Sequence, residues 1–250
     1  MIFNLFKSKP TLNEIISDGF VDIHSHILPG IDDGAQNIKE SLEIIAKLKT
    51  IGFKKIICTP HIYPNLYNND KNSIKKSYDL LKLNHSNKNI QIEYGSEYFI
   101  DNYLIELAEK KELITIKNKY VLLETSFTAM PMNINEIIFK ICSNGYTPIL
   151  AHPERYLYMF NNFKILTHLK KIGCLFQLNL MSTIGYYGVD VIKASDKLLN
   201  ENLIDFVGSD IHNIIHANNF DDRIKIKNEE KLISAIECNS YFSSSSTIDE

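Results

Sequence analysis

Histidines and carboxylates sit at short, regular spacings along this chain. His24 and His26 are two residues apart in Asp-Ile-His-Ser-His, so in an extended strand both imidazoles project to one side. Asp32-Asp33-Gly34 follows, then Thr59-Pro60-His61, Gly95-Ser96-Glu97, Glu124, His152-Pro153-Glu154-Arg155 and Gly208-Ser209-Asp210-Ile211-His212. Two imidazoles on one face grip a divalent ion, and Glu97 and Asp210 are candidates to complete that shell and bridge to a second. Imidazole with carboxylate and no thiolate suits manganese, iron or zinc rather than a structural cysteine site. Two such ions a few ångströms apart clamp a phosphoryl group and activate water at neutral pH. Arg155, three residues after His152, has the fork geometry that binds phosphate oxygens.

The surrounding elements explain why these residues matter together. Apolar, often β-branched runs at 20–24, 54–58, 90–95, 119–124, 147–151, 174–179 and 204–208 read as strands. Stretches with helical periodicity lie between them, at 38–50, 72–84, 101–111, 133–144, 162–172, 190–201 and 228–238. Gly52, Gly145 and Gly173 fall just past helical stretches, where a left-handed residue is expected. Alternating strands and helices imply an α/β protein with a parallel sheet, either an open doubly wound sheet or a (β/α) barrel of about seven or eight units. Nearly every candidate strand runs into a His, Asp or Glu at its carboxyl end. Taken singly, each has a simpler reading: a turn for Asp32-Asp33-Gly34, a loop for His61, a helix cap for Glu97 or Asp210, a surface ion pair for Arg155. Those readings leave unexplained why the groups share one end of successive strands.

Composition narrows the function. The chain has 250 residues, 44% hydrophobic and 23% charged, with 27 basic and 30 acidic side chains for a net charge of -3. This argues against a broadly basic nucleic-acid binder. Four cysteines lie far apart (Cys58, Cys142, Cys174, Cys238) with no C-x-x-C pair, which reads as reduced thiols in a cytoplasmic protein. No C-x5-R loop is present, so a cysteine-dependent phosphatase is not expected. His85 and His168 lie within helical stretches and read as surface residues; Arg223 reads likewise. No run approaches the ~18 apolar residues of a membrane span. Met1–Pro10 reads as an arm rather than a signal peptide, with Phe3 and Phe6 free to touch a membrane surface or a partner. The division expected is an arm over 1–17, one domain over 18–242 and a flexible tail over 243–250.

The segments DIHSHILPGIDDG, TPHI, GSEY, VLLE, AHPERY, FQLNLMSTIGYYG and GSDIHN resemble, in order and in strand context, the polymerase and histidinol phosphatase (PHP) superfamily. Within it the match is to the bacterial tyrosine-protein phosphatase branch of the CpsB/YwqE type, linked to capsular and exopolysaccharide synthesis, over roughly residues 18–240. The resemblance implies a distorted (β/α)7 barrel with two or three divalent ions at the carboxyl ends of the strands, manganese being the expected metal and iron, zinc or magnesium the alternatives. It implies one ion held by His24, His26, Glu97 and Asp210, a second by Asp33, His61 and His212, and a third by Glu124 and His152 with Glu97 shared. Arg155 matches the arginine that contacts phosphate. The implied activity is hydrolysis of phosphotyrosine by a metal-bound hydroxide. The implied partner is the tyrosine-rich tail of a bacterial tyrosine autokinase, met in the cytoplasm or near the inner face of the membrane.

Some relatives carry a second arginine shortly after the S-D-x-H motif. Here the stretch reads His212-Asn213-Ile214-Ile215-His216, so His216 is the candidate for part of that role. His212 and His216 are the candidates to assist the leaving phenolate, whose free pKa is about 10. Tyr63, in the loop after His61, and Tyr187 are candidates to receive an aromatic ring. The competing functions are a small-molecule phosphomonoesterase acting on histidinol phosphate or a sugar phosphate, a non-catalytic metal-binding partner of a polysaccharide-assembly kinase, and a metal-dependent amidohydrolase. The last is weakened by the lack of a strand-end lysine. Oligomeric state is left open.

Overall fold

The structure, a computed structural model, describes residues 8–16, 18–85 and 89–244. Phe3, Phe6 and most of the expected tail lie outside the described residues. The chain order begins α1 (Leu12–Ile15), β1 (Phe20–Asp22), α2 (Ile38–Ile51), β2 (Phe53–Cys58), β3 (His61–Ile62), α3 (Lys71–Asn84), β4 (Gln91–Tyr94), β5 (Glu97–Phe99) and α4 (Asn102–Lys110). It continues with β6 (Tyr120–Glu124), α5 (Ile134–Ser143), β7 (Thr147–Ala151), α6 (Leu157–Asn161), α7 (Phe163–Lys171), β8 (Leu175–Asn179) and α8 (Leu180–Thr183). Last come α9 (Val189–Asn200), β9 (Phe206–Gly208), α10 (Ile214–Asn218) and α11 (Glu229–Cys238), the latter followed by a 3-10 turn at Asn239–Phe242. The seven long helices fall where the periodicity puts them. Gly52, Gly145 and Gly173 take the left-handed conformation, with φ of 108°, 85° and 101°.

All strand pairs are parallel, in the orders β1-β2-β4 and β3-β5-β6-β7-β8-β9. The two sheets are halves of one barrel. β3 continues β2 after Thr59-Pro60, and β5 continues β4 after Gly95-Ser96. Pro60 has no N–H to give the ladder, so the sequence-expected strand 54–58 gains a separate short extension. Bonds run through both breaks: Gly95 N donates to Cys58 O at 2.8 Å and Glu97 N to Pro60 O at 3.1 Å. At the other flank β9 meets β1 just beyond the strand ends. Asp210 N donates to His24 O at 2.8 Å, His26 N donates to Ile211 O at 2.9 Å, and Ser25 bridges Ile211. The result is a distorted (β/α) barrel of seven staves.

Strand alternation sorts the side chains. In β6, Val121 and Leu123 face the helix layer while Leu122 faces the barrel interior and Glu124, of the same parity, reaches the mouth. The interior is apolar low down, where Val21, Ile57, Leu122, Ile149, Phe206 and Phe242 pack together. The mouth carries the polar set. Burying that mouth means taking charged groups from water, which is tolerated only where partners or ions compensate.

The seam between β1 and β9 is closed low down by a side chain. Asn239 Nδ2 donates to Val21 O and Val207 O, each at 2.8 Å, and its Oδ1 accepts from Val207 N at 3.0 Å. The arm is also tied in over its described part: Leu12 and Ile16 are buried, Thr11 and Glu14 form a capping box, and Ile224 N donates to Pro10 O. No helix among the described residues is long and apolar enough to cross a membrane.

Replacing Asn239 with Ala strands three buried backbone groups. We expect a loss of roughly 3 kcal/mol in unfolding free energy, read from urea denaturation midpoints. A loss below about 0.5 kcal/mol would show that the seam does not depend on this amide.

Candidate metal centre

The nine residues singled out as ligands come together at the carboxyl end of the barrel. His24 and His26 follow β1, His61 opens β3 and Glu97 opens β5. Glu124 ends β6, His152 follows β7, Asp210 and His212 follow β9, and Asp33 lies in the loop after β1. All but Asp33 and His212 are buried, and these two sit on the solvent side. His152 and Asp210 hold φ of 36° and 52°, a conformation that costs a non-glycine residue energy and that persists where surrounding structure enforces it. Gly208 makes room beneath them: a Cβ there would lie 2.7 Å from His24 Cβ and 2.6 Å from Gln177 Nε2.

The atoms form four overlapping groups, each with its donor atoms within 4.8 Å of one another: His24–His26–Glu97, His24–His152–Asp210, His61–Glu97–Glu124 and His26–Asp33–His61–His212. His24 Nε2 lies 3.2 Å from His26 Nε2, 3.1 Å from Glu97 Oε2 and 3.3 Å from Asp210 Oδ1. His26 Nε2 lies 3.4 Å from Glu97 Oε2 and 3.5 Å from Asp210 Oδ1. Donors about 2.1 Å from a tetrahedral ion are roughly 3.4 Å apart, so these spacings suit a cation at the centre.

The hydrogen bonds on the far side of the rings support the same reading. Gln177 Nε2 donates to Leu178 O, which leaves Gln177 Oε1 to accept from His24 Nδ1 at 2.9 Å. Asp32 Oδ2 accepts from His26 Nδ1 at 2.8 Å, and Asp210 O accepts from His212 Nδ1 at 2.9 Å. In each neutral ring the proton is therefore on Nδ1 and the lone pair on Nε2 faces the cluster. Lone pairs facing carboxylates across such gaps repel unless a cation lies between them. Other buried atoms here lack any hydrogen-bond partner: His61 Nδ1, Glu97 Oε1 and His152 Nδ1. His61 Nδ1 is 2.9 Å from Glu124 Oε1 without bonding to it.

The protonation equilibria follow. Burial opposes charge on His24, but Glu97 and Asp210 outweigh it and lift its pKa to about 9. Against burial, Asp32 and Glu97 likewise hold His26 well above the usual imidazole pKa. Burial acts to raise the Glu97 and Asp210 carboxyls, yet the neighbouring cations, led by His24, hold both well below the usual range. Burial, with the Arg155 charge, pushes His152 down to about 4. Without metal, protons on His24 and His26 supply the missing positive charge.

Above the cluster is a cavity of about 300 Å3. Arg155 Nη1 donates to Asp210 Oδ2 at 2.7 Å, and its guanidinium carbon lies 4.6 Å from the Phe127 ring centre and 4.2 Å from that of Tyr187. Asn179 Nδ2 reaches the same Asp210 Oδ2 at 2.8 Å. His216 lines the rim, with Nε2 3.2 Å from Tyr186 Oη. Tyr187 lines the cavity, but Tyr63 does not: its ring stacks on Phe99 at 3.9 Å, and Tyr67 of the same loop stacks on His61 instead. Five participants were not singled out from the sequence. Asp32, Gln177 and Asn179 orient the candidate ligands His26, His24 and Asp210, and Phe127 flanks Arg155. Glu154, fully buried, accepts from Asn179 N at 3.0 Å and Ser182 Oγ at 2.7 Å, and burial pushes its carboxyl up to about 7. Asp32 sits beside a residue that was singled out, but only the fold shows which of the two adjacent aspartates turns inward.

Seven parallel staves with His, Asp and Glu gathered at one mouth define a class, the (β/α)-barrel proteins built around a candidate polynuclear metal centre. The family model for capsular polysaccharide synthesis proteins CpsB/CapC matches residues 20–228, and the chain belongs to that family. It is 34% identical over 197 residues to the putative tyrosine-protein phosphatase CapC of Staphylococcus aureus, covering 78% of this chain and 77% of that protein. It is 32% identical to the tyrosine-protein phosphatase YwqE of Bacillus subtilis over 197 residues, 78% of each protein. A solved structure from work on YwqE of Bacillus subtilis and CpsB of Streptococcus pneumoniae, described as unique metal-dependent tyrosine phosphatases, superposes with a TM-score of 0.73. Its identity is 31%, covering 80% of this chain and 84% of that one.

Two outcomes are expected. Metal loading must displace the protons on His24 and His26, so affinity should rise from pH 6.5 towards pH 9, the raised pKa of His24. Calorimetric titration with Mn2+ in buffers of different ionisation enthalpy should register proton release, and none would contradict the assignment. Asp32→Asn should weaken metal binding by about 10–100-fold, because it removes the anion that fixes His26; unchanged affinity would exclude that role.

Proposed function

We propose that this chain is a metal-dependent protein-tyrosine phosphatase, acting in the cytoplasm on the tyrosine-rich tail of a bacterial tyrosine autokinase that controls capsular or exopolysaccharide synthesis. The observation that carries the reading is the cluster of His, Asp and Glu donors at metal-compatible spacing, with the Arg155 guanidinium beside it. The family supports the substrate class, since its named relatives are tyrosine-protein phosphatases.

We assign His24, His26, Glu97 and Asp210 to one ion, Asp33, His61 and His212 to a second, and Glu124 and His152 to a third that shares Glu97. Manganese is the ion we expect, because nitrogen and oxygen donors without thiolate accept it readily. Bound divalent ions supply positive charge to the phosphoryl oxygens and lower the pKa of water.

The rest of the chemistry falls to the chain. Arg155 donates from its free guanidinium nitrogens to a non-bridging phosphoryl oxygen. Its contact with Asp210 and its place between Phe127 and Tyr187 hold the fork in position before substrate arrives, so little ordering remains to be done on binding. Charge that grows on the phosphoryl oxygens in the transition state meets a donor already in place. The leaving phenolate is stable enough, with a free pKa of about 10, to need less protonation than an alkoxide. Burial holds the His216 imidazole below its usual pKa, and His212 N donates to its Nδ1, so it serves as a hydrogen-bond donor at the rim rather than as a stored cation.

Phosphate release from a phosphotyrosyl peptide should be abolished by exhaustive chelation and restored by Mn2+. Activity that survives full metal removal would overturn the reading. A side-by-side panel of histidinol phosphate and sugar phosphates separates the protein phosphatase from a small-molecule phosphomonoesterase. Arg155→Ala should lower kcat/KM by about 10²–10³, the usual effect of deleting one charge-stabilising donor; an unchanged value would remove Arg155 from the mechanism.

A further inference from the structure

The cavity lining is almost wholly ionisable or hydrogen-bonding. Asp33, Glu97, His152, Arg155 and Asp210 are typical of it. Among the described residues that line it, Phe127 is the one wholly apolar side chain, and it is 47% exposed. That exposed ring is the one wholly apolar surface that the described lining offers to a group bound in the cavity.

The ring is held in place from two sides. Thr125 N donates to Tyr156 Oη at 3.1 Å, and Tyr158 Oη donates to Ser126 O at 2.9 Å. Thr128 N donates to Ser126 Oγ at 3.2 Å, which tightens the turn that carries Phe127. Tyr156 and Tyr158 lie just beyond Arg155 in sequence, so the segment that presents the guanidinium also seats the Phe127 turn. The Phe127 ring lies 5.7 Å from the His152 ring at 23° and 4.6 Å from the guanidinium carbon.

With a phosphoryl group held by Arg155, an ester group that runs along the flank of the guanidinium meets the rings beside it. Two rings stand there, Tyr187, half-buried, and Phe127, exposed. An aryl group covers the free surface of Phe127 and gains ring–ring contact; a short alkyl group does neither. We propose that Phe127 is a specificity-determining residue, whose ring packs against the aromatic group of a bound phosphate ester and selects aryl over alkyl esters. This rests on the phosphatase reading of the site and adds to it the residue that reads the substrate's ring.

The test uses phenylphosphonate and methylphosphonate, which share the phosphoryl head and are not hydrolysed. Binding of each to the Mn2+-loaded protein is measured by calorimetry for wild type, F127A and F127Y. Wild type should bind phenylphosphonate about tenfold more tightly or better. F127A should reduce that preference by about tenfold, read as the ratio of the two affinities because Phe127 also helps to hold Arg155, and F127Y should restore the preference. A preference unchanged in F127A, or absent in wild type, overturns the proposal. Parallel weakening of both ligands also overturns it, since Phe127 would then act only by seating Arg155. Turnover of a phosphotyrosyl peptide by wild type is measured in parallel. Its absence refutes the phosphatase reading, whereas a flat phosphonate ratio with turnover intact refutes only the role of Phe127.

Discussion

The architecture depends on an electrostatic demand at the mouth of the barrel. His24, His26, Glu97 and Asp210 are buried with their lone pairs and charges turned toward one another at 3.1–3.5 Å. Such an arrangement stands only with positive charge at its centre, whether protons or metal ions. The bonds behind the rings exist to aim those lone pairs. Gln177 and Asp32 fix the rings of His24 and His26, and Asn179 and Arg155 hold the far oxygen of Asp210. The left-handed backbone at His152 and Asp210 is strain accepted for the same convergence.

Barrel geometry divides the labour. Alternation along each strand buries Leu122 in the floor and lifts Glu124 to the mouth, so stability and chemistry use different layers of the same strand. The floor is closed by Phe242 and by the Asn239 amide across the β1–β9 seam. That seam carries candidate ligands on both sides, His24 and His26 on one and Asp210 and His212 on the other. Closing the barrel therefore brings the two halves of the candidate centre together.

Much of this was legible in the sequence, and what was not shares a cause. Strands and long helices followed from local periodicity, and the ligands from their position after strands, because both are properties of contiguous residues. The orienting groups are not. Gln177 matters because Gly208 lets it reach His24 across two strands, and nothing near residue 177 records that. Phe127 lies in a turn whose placement is set by Tyr156 and Tyr158, some thirty residues away. Tyr63 and Tyr67 share one loop, and only the folded loop shows that Tyr67 covers His61 while Tyr63 stacks on Phe99. The breaks after Cys58 and Tyr94 split two staves into short strands, which local patterning read as strand followed by loop.

Metal ions, on this reading, meet the charge demand at the mouth. Anomalous diffraction from crystals of protein purified without chelator and supplied with Mn2+, recorded on both sides of the manganese edge, tests it directly. Two or three peaks are expected, enclosed by the nine His, Asp and Glu side chains, with His24 and His26 sharing one ion through Nε2. A mouth holding only water, with both rings turned to other hydrogen-bond partners, would contradict it.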